Sequence, residues 1–172
     1  MSQELSKYIR VIEDFPKPGI SFKDITTLIG DPEGFQKTLD ELEALHKDNP
    51  PDVIAGIESR GFIFGAALAD RFGCGLVLVR KLGKLPAKTF SETYELEYGS
   101  ATLEVHTDAF ESGQRVLIID DLLATGGTAA ATVRLVEKAG GEVLALDFVI
   151  ELDFLAGRDK LAGYTIYSLV HT

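Results

Sequence analysis

Residues 116–128 read Val-Leu-Ile-Ile-Asp-Asp-Leu-Leu-Ala-Thr-Gly-Gly-Thr. A short apolar run delivers two adjacent carboxylates, Asp120 and Asp121, and the turn Thr125-Gly126-Gly127-Thr128 follows. Two glycines permit positive φ and close backbone approach. Helical patterning begins at Thr128, so the positive helix end adds to inward-pointing amides. Such a nest suits a phosphate monoester, and Thr125 and Thr128 add hydroxyl donors. No lysine follows the second glycine, which excludes a GxxxxGK[ST] nucleoside-triphosphate loop, and the spacing is not GxGxxG. One terminal phosphate is the expected ligand. Two carboxylates beside it repel it, unless they accept hydrogen bonds from sugar hydroxyls or help hold a divalent cation. A 5-phosphoribosyl group satisfies both halves. An Asp-Asp pair alone is commonly a solvated turn; the strand before it and the glycine turn after it make it a site.

The surrounding pattern supplies elements to position these groups. Asp31-Pro32-Glu33 opens a helix over 31–48, with Phe35, Leu39, Leu42 and Leu45 at helical spacing. Pro50-Pro51 stops it. Val53–Ile57 is a short apolar run, expected as a buried strand, and it ends at Glu58-Ser59-Arg60-Gly61. A helix to about Phe72 and a strand over 75–79 follow. Residues 80–95 are polar, basic and poorly periodic, and read as a loop. Residues 96–105 look extended and antiparallel. Strands are expected at 115–119, 143–150 and 164–170, and a helix at 128–139, closed by Gly140-Gly141. Alternating strands and helices imply an α/β fold, a mostly parallel central sheet flanked by helices. Residues 1–30 have weak periodicity and read as a small appended element over the site. No linker divides the 172 residues, so one domain is expected.

Composition narrows the function. Apolar residues make up 45% and charged residues 26%, ordinary values for a folded protein. The formal net charge of −10 argues against a nucleic-acid partner. An anionic substrate therefore needs a local basic patch that overrides the global field. Cys74 is the only cysteine, which leaves no intrachain disulfide and no thiolate metal cluster; it reads as a small buried residue. The N-terminus lacks a basic-then-apolar signal, and no apolar stretch approaches a membrane span of roughly twenty residues. A reducing, cytoplasmic setting without membrane attachment is the expectation. His46, His106 and His171 match no motif.

Residues 116–128 resemble the phosphoribosyl pyrophosphate (PRPP) signature of type I phosphoribosyltransferases. Other segments resemble the adenine phosphoribosyltransferase branch of that family: residues 15–26, Phe-Pro-Lys-Pro-Gly-Ile-Ser-Phe-Lys-Asp-Ile-Thr, the adenine-site segment; Glu58-Ser59-Arg60-Gly61-Phe62, the pyrophosphate loop; Arg80-Lys81-Leu82-Gly83-Lys84-Leu85-Pro86, the start of a flexible catalytic loop; and Tyr94-Glu95-Leu96-Glu97-Tyr98-Gly99, its far end. The resemblance runs from about residue 8 to the C-terminus. Hypoxanthine-guanine relatives carry an aspartate immediately before the Thr-Gly of the phosphate loop. Here that position is Ala124, which transfers no proton.

The resemblance implies conversion of adenine and PRPP to AMP and pyrophosphate through an oxocarbenium-like transfer at ribose C1. It implies an N-terminal hood over the base at 1–30 and a mobile loop at 80–95. Glu97 is the implied catalytic residue, acting on the purine ring proton. Asp120, Asp121, Ala124, Thr125, Gly126, Gly127 and Thr128 are the implied ribose 5-phosphate site, Ser59, Arg60, Arg80, Lys81 and Lys84 the pyrophosphate site, and Ser21, Phe22 and Lys23 the adenine site. The family often has arginine where this chain has Lys23. Mg²⁺ is the implied cofactor, held mainly by PRPP and through Asp120 or Asp121, and the implied assembly is a homodimer. Charge distribution agrees: residues 71–91 contain no Asp or Glu, yet hold Arg71, Arg80, Lys81, Lys84 and Lys88, five basic residues against about two from an even spread of the chain's 17. The alternatives are transfer to another purine and a non-catalytic PRPP sensor. Ala124 argues against the first, and the negative charge and the absence of spare length for a DNA-binding extension against the second.

Overall fold

A computed structural model describes residues 4–95 and 99–172. In chain order the strands are β1 (Arg10–Ile12), β2 (Phe22–Asp24), β3 (Val53–Ile57), β4 (Gly75–Lys81), β5 (Thr89–Glu95), β6 (Ser100–His106), β7 (Arg115–Leu123), β8 (Glu142–Glu151) and β9 (Ile166–His171). The α-helices are α1 (Thr26–Gly30), α2 (Pro32–His46), α3 (Gly61–Phe72) and α4 (Gly127–Lys138). Seven strands form one sheet in the order β5-β6-β4-β3-β7-β8-β9. From β4 to β9 the pairings are parallel, while the β5–β6 hairpin joins the β4 edge antiparallel.

β3 is apolar and buried at all its positions, as a central parallel strand covered on both faces must be. Its alternate side chains serve two different cores. Val53, Ala55 and Ile57 join Val116, Ile118, Val133 and Val136 on the α4 face. Ile54 joins Leu117, Ile119, Leu42, Phe64 and Leu68 on the face covered by α2 and α3. α2 starts as its sequence dictates: Asp31 accepts a hydrogen bond from the Gly34 N–H at 2.8 Å, with Pro32 in the first turn. Its buried stripe ends differently from expectation. His46 is buried and Leu45 is on the surface, because seven residues after Leu39, two full turns, falls on 46 rather than 45.

Two further expectations are corrected. The expected loop at 80–95 shrinks to residues 82–88, since β4 runs through Lys81 and residues 89–95 are strand β5, paired along its whole length with β6. β7 runs to Leu123 rather than Ile119, because β8 continues beside it as far as the Leu123–Glu151 pairing. The acid pair therefore lies within the strand. The N-terminal element is a two-stranded ribbon, β1 with β2, fastened by Arg10, which donates to Asp24 Oδ2 at 3.0 and 2.6 Å.

Candidate active site

The parallel strands, taken along the chain, lie in the order second, first, third, fourth, fifth. Strand order reverses between β3 and β7, and the helices leaving these two strands, α3 and α4, lie on opposite faces. A crevice opens at the carboxyl ends of such a pair. The carboxylates of β7 stand there. By strand alternation Asp120 shares the face of Ile118 and α4, and Asp121 shares the face of Ile119 and α3. Asp121 is only 4% exposed and its Oδ2 accepts from Arg60 Nε at 2.5 Å. Arg60, at the start of α3, thus spans the crevice with half of its side chain in solvent. Asp120 is half-buried and its Oδ1 accepts the Asp121 N–H at 2.9 Å. Burial, then the neighbouring charge of Asp121, pushes the Asp120 carboxyl well above the usual carboxylate range.

Past the acids, Ala124 and residues 125–128 close a small cavity of about 70 Å³ together with Asp120 and Phe148. No side chain caps α4, and the first amides of a helix have no partner within it. Gly126 has φ +76°, and a Cβ there would collide with the carbonyl oxygen of Gly157. The turn at Gly157 is a shelf under the loop, held by Arg158, which grips both oxygens of buried Glu151 at 2.7–2.9 Å. Gly127 meets the hairpin instead: a Cβ there would lie 3.1 Å from Tyr94 Cδ2. The Thr128 hydroxyl donates to the Tyr94 hydroxyl at 3.1 Å.

The basic segment is fixed by two carboxylates. Glu58, at the end of β3, accepts the Lys81 N–H at 2.9 Å and Arg80 Nε at 3.2 Å. Glu104, on β6 and 3% exposed, accepts the N–H groups of Lys84 and Leu85, both at 2.9 Å. Burial works to raise the Glu104 pKa, but the backbone N–H groups of Leu85, Gly83 and Lys84 outweigh it and hold the carboxyl below its usual range. Arg80 and Lys81 therefore lie at the carboxyl end of β4, beside the carboxyl end of β3 from which Glu58, Ser59 and Arg60 follow. Arg71 leaves the basic group, since it pairs on the outside with Asp40 and Glu43 of α2.

At the N-terminal ribbon, Ser21 donates to Glu13 at 3.2 Å, and Lys23 Nζ lies 3.5 Å from the Ser21 hydroxyl. Phe22 packs edge-on against Phe15 with centroids 5.2 Å apart. Lys23 also lines a cavity of about 200 Å³ shared with Val11, Ile150 and Val170, which brings the ribbon to the carboxyl ends of β8 and β9. Asp24, held down to about 2 by the Thr26 backbone N–H, the Thr26 hydroxyl and Arg10, adds to the negative field felt by Arg60. Glu97 lies outside the described residues.

The sequence places Glu58 and Tyr94 only within larger segments, with no role of their own, and gives no sign of Glu104 or of the Arg158–Glu151 clamp. Phe90, Glu92 and Tyr94 alternate inward along β5, a pattern that the charged Glu92 hides in the sequence. Nor does the sequence mark His46, which is buried against Asp147 at 2.7 Å. Cys74 is half-buried, and burial pushes its thiol pKa up. For a divalent cation the donor set is sparse. Arg60 occupies Asp121, and among the described residues no cluster of three ligating side chains includes either acid. An ion there would be bound mostly by water and substrate oxygens, with Asp120 the acid left open to it.

The family described as "Phosphoribosyl transferase domain" matches residues 32–160. An adenine phosphoribosyltransferase of Desulfitobacterium hafniense is 59% identical, over 97% of this chain and 96% of its own. One of Chloroflexus aurantiacus is 56% identical, over 98% and 97%. The crystal structure of the adenine phosphoribosyltransferase of Thermoanaerobacter pseudethanolicus superposes with a TM-score of 0.94 at 53% identity, covering 98% of each chain. That of Saccharomyces cerevisiae, complexed with an imino-altritol bisphosphate and adenine, gives 0.91 at 44% identity, covering 97% of each.

Proposed function

The chain belongs to the adenine phosphoribosyltransferases, and from that premise we propose that it transfers the phosphoribosyl group of PRPP to adenine, giving AMP and pyrophosphate. The observation that carries the reading is the cavity at the start of α4, which joins the Thr-Gly-Gly-Thr amides to Asp120 and has the methyl group of Ala124 where a 6-oxopurine enzyme places a carboxylate.

The residue roles follow from chemistry. The 5-phosphate enters the nest of Thr125, Gly126, Gly127 and Thr128, where helix amides and two hydroxyls meet it. Asp120 and Asp121 accept from the ribose hydroxyls, Asp121 with Arg60 as its counter-charge. Ser59, Arg60, Arg80, Lys81 and Lys84 receive pyrophosphate, whose charge grows as the C1–O bond breaks. Adenine lies against the hood at Ser21, Phe22 and Lys23. Glu97 accepts the purine ring proton as the base nitrogen bonds to C1. The raised pKa of Asp120 suits a group that ionises when a cation arrives. Mg²⁺, bound with PRPP, supplies charge neutralisation for the leaving group. Residues 82–88 close over the site and exclude water from the ribosyl cation. We also propose a homodimer, on family grounds, and a cytoplasmic setting, on the single cysteine.

The test is turnover with adenine, PRPP and Mg²⁺. AMP and pyrophosphate appear in equal amounts, and Glu97→Gln lowers turnover far more than it weakens PRPP binding. Unchanged turnover in that variant removes Glu97 from the mechanism.

A further inference from the structure

Tyr94 touches the phosphate loop twice. Its ring is close enough to the Gly127 Cα to leave no comfortable room for a methyl group, and its hydroxyl accepts the Thr128 proton at 3.1 Å. Its strand does not drift: Glu92, two residues earlier, is held to α4 by Arg134 at 3.1 Å and Lys138 at 3.2 Å. The ring is half-buried against the core on the α4 face.

Resting on the phosphate-loop reading above, we propose that Tyr94 is a positioning residue that aims the Thr128 hydroxyl at the 5-phosphate. A threonine hydroxyl has one proton and two acceptor lone pairs. With the loop empty, its proton goes to Tyr94. A phosphate offers only acceptor oxygens there, and a bond to a charged acceptor is roughly twice as strong as a neutral one. The Thr128 proton therefore turns to the phosphate. Its oxygen then needs a donor, and the Tyr94 O–H supplies one without either side chain moving. The hydrogen bond reverses its direction, and the tyrosine holds the threonine rotor in the productive orientation.

The test compares AMP with adenosine, ligands that differ by the phosphate, by calorimetry on the whole protein. Wild type binds AMP more tightly than adenosine; equal binding refutes the phosphate-loop reading itself. Tyr94→Phe keeps the ring on Gly127 and removes the hydroxyl. It weakens AMP by roughly fivefold, the scale of one neutral hydrogen bond, and leaves adenosine unchanged. In a Thr128→Ala background the same substitution has no further effect, whereas in Thr128→Ser it keeps its full effect. AMP binding unaltered by Tyr94→Phe, or AMP and adenosine weakened by the same factor, overturns the proposal while leaving the phosphate loop intact.

Discussion

Replacing Glu104 by alanine removes a carboxylate that is 3% exposed and accepts the backbone N–H groups of Lys84 and Leu85 at 2.9 Å and the Thr89 hydroxyl at 3.4 Å. A hydrogen bond to a charged group contributes about 1.5–3 kcal/mol. Lys84 is exposed and Leu85 half-exposed, so water reaches both N–H groups once they are released, and the lower figure applies to each. The expected loss is about 3 kcal/mol, which for a chain of this size lowers Tm by roughly 6–12 °C. Glu104→Gln keeps a carbonyl acceptor and loses the charge, so about half of that loss is expected. Because the folded carboxyl titrates below its ordinary value of 4.5, its stabilisation is complete above that value and is lost as pH falls through the folded pKa. The melting curves of wild type and Glu104→Ala therefore converge in acid. Function follows geometry: with residues 82–85 unpinned, Arg80 and Lys84 lose their frame, and KM for PRPP rises about tenfold while KM for adenine stays put. Thermal melts from pH 3 to 8 and two-substrate kinetics measure both. A Tm within a degree of wild type at neutral pH, or an equal rise in both KM values, refutes the reasoning.

Asp120→Asn removes a carboxyl whose pKa is raised in the folded state by burial and by Asp121. Such a group costs stability as pH rises from its ordinary value through the folded one, so the variant melts above wild type at pH 8, the gap closes toward pH 4, and PRPP turnover falls. Gly127→Ala puts a Cβ 3.1 Å from Tyr94 Cδ2 and 3.4 Å from the Glu95 carbonyl oxygen; shifting the hairpin there lowers kcat about ten- to a hundredfold in steady-state assays. His46→Leu strips the fully buried Asp147 of its 2.7 Å partner, and the other carboxylate oxygen, Oδ1, already has none among the described residues. Chemical denaturation records a loss of about 3–5 kcal/mol, which the added substitution Asp147→Leu recovers in part.

Elements whose pattern is local are legible in the sequence. The apolar run Val53–Ile57 and the helix Gly61–Phe72 read correctly because burial on both faces and helical spacing are written within a dozen residues. β5 is not legible, because one of its inward residues is Glu92, whose partners Arg134 and Lys138 lie 42 and 46 residues further on. The end of β7 is set by β8, which the sequence of β7 cannot reveal. In the site, the acid pair and the glycine turn are contiguous and announce themselves. The groups that fix them are not: Arg60 reaches Asp121 across 61 residues, and Glu104 meets Lys84 across 20. Chemistry-bearing residues are chosen by type, whereas their supports are chosen by register, and register appears only in the folded sheet.

The central claim is that a phosphate loop with Ala124 before Thr125 serves adenine and not a 6-oxopurine. It is tested by incubating the protein with PRPP, Mg²⁺ and each of adenine, hypoxanthine, guanine and xanthine, and measuring kcat/KM for nucleotide formed. AMP from adenine, with the three oxopurines at or near background, is the predicted result. IMP or GMP formed at a rate comparable with AMP contradicts it.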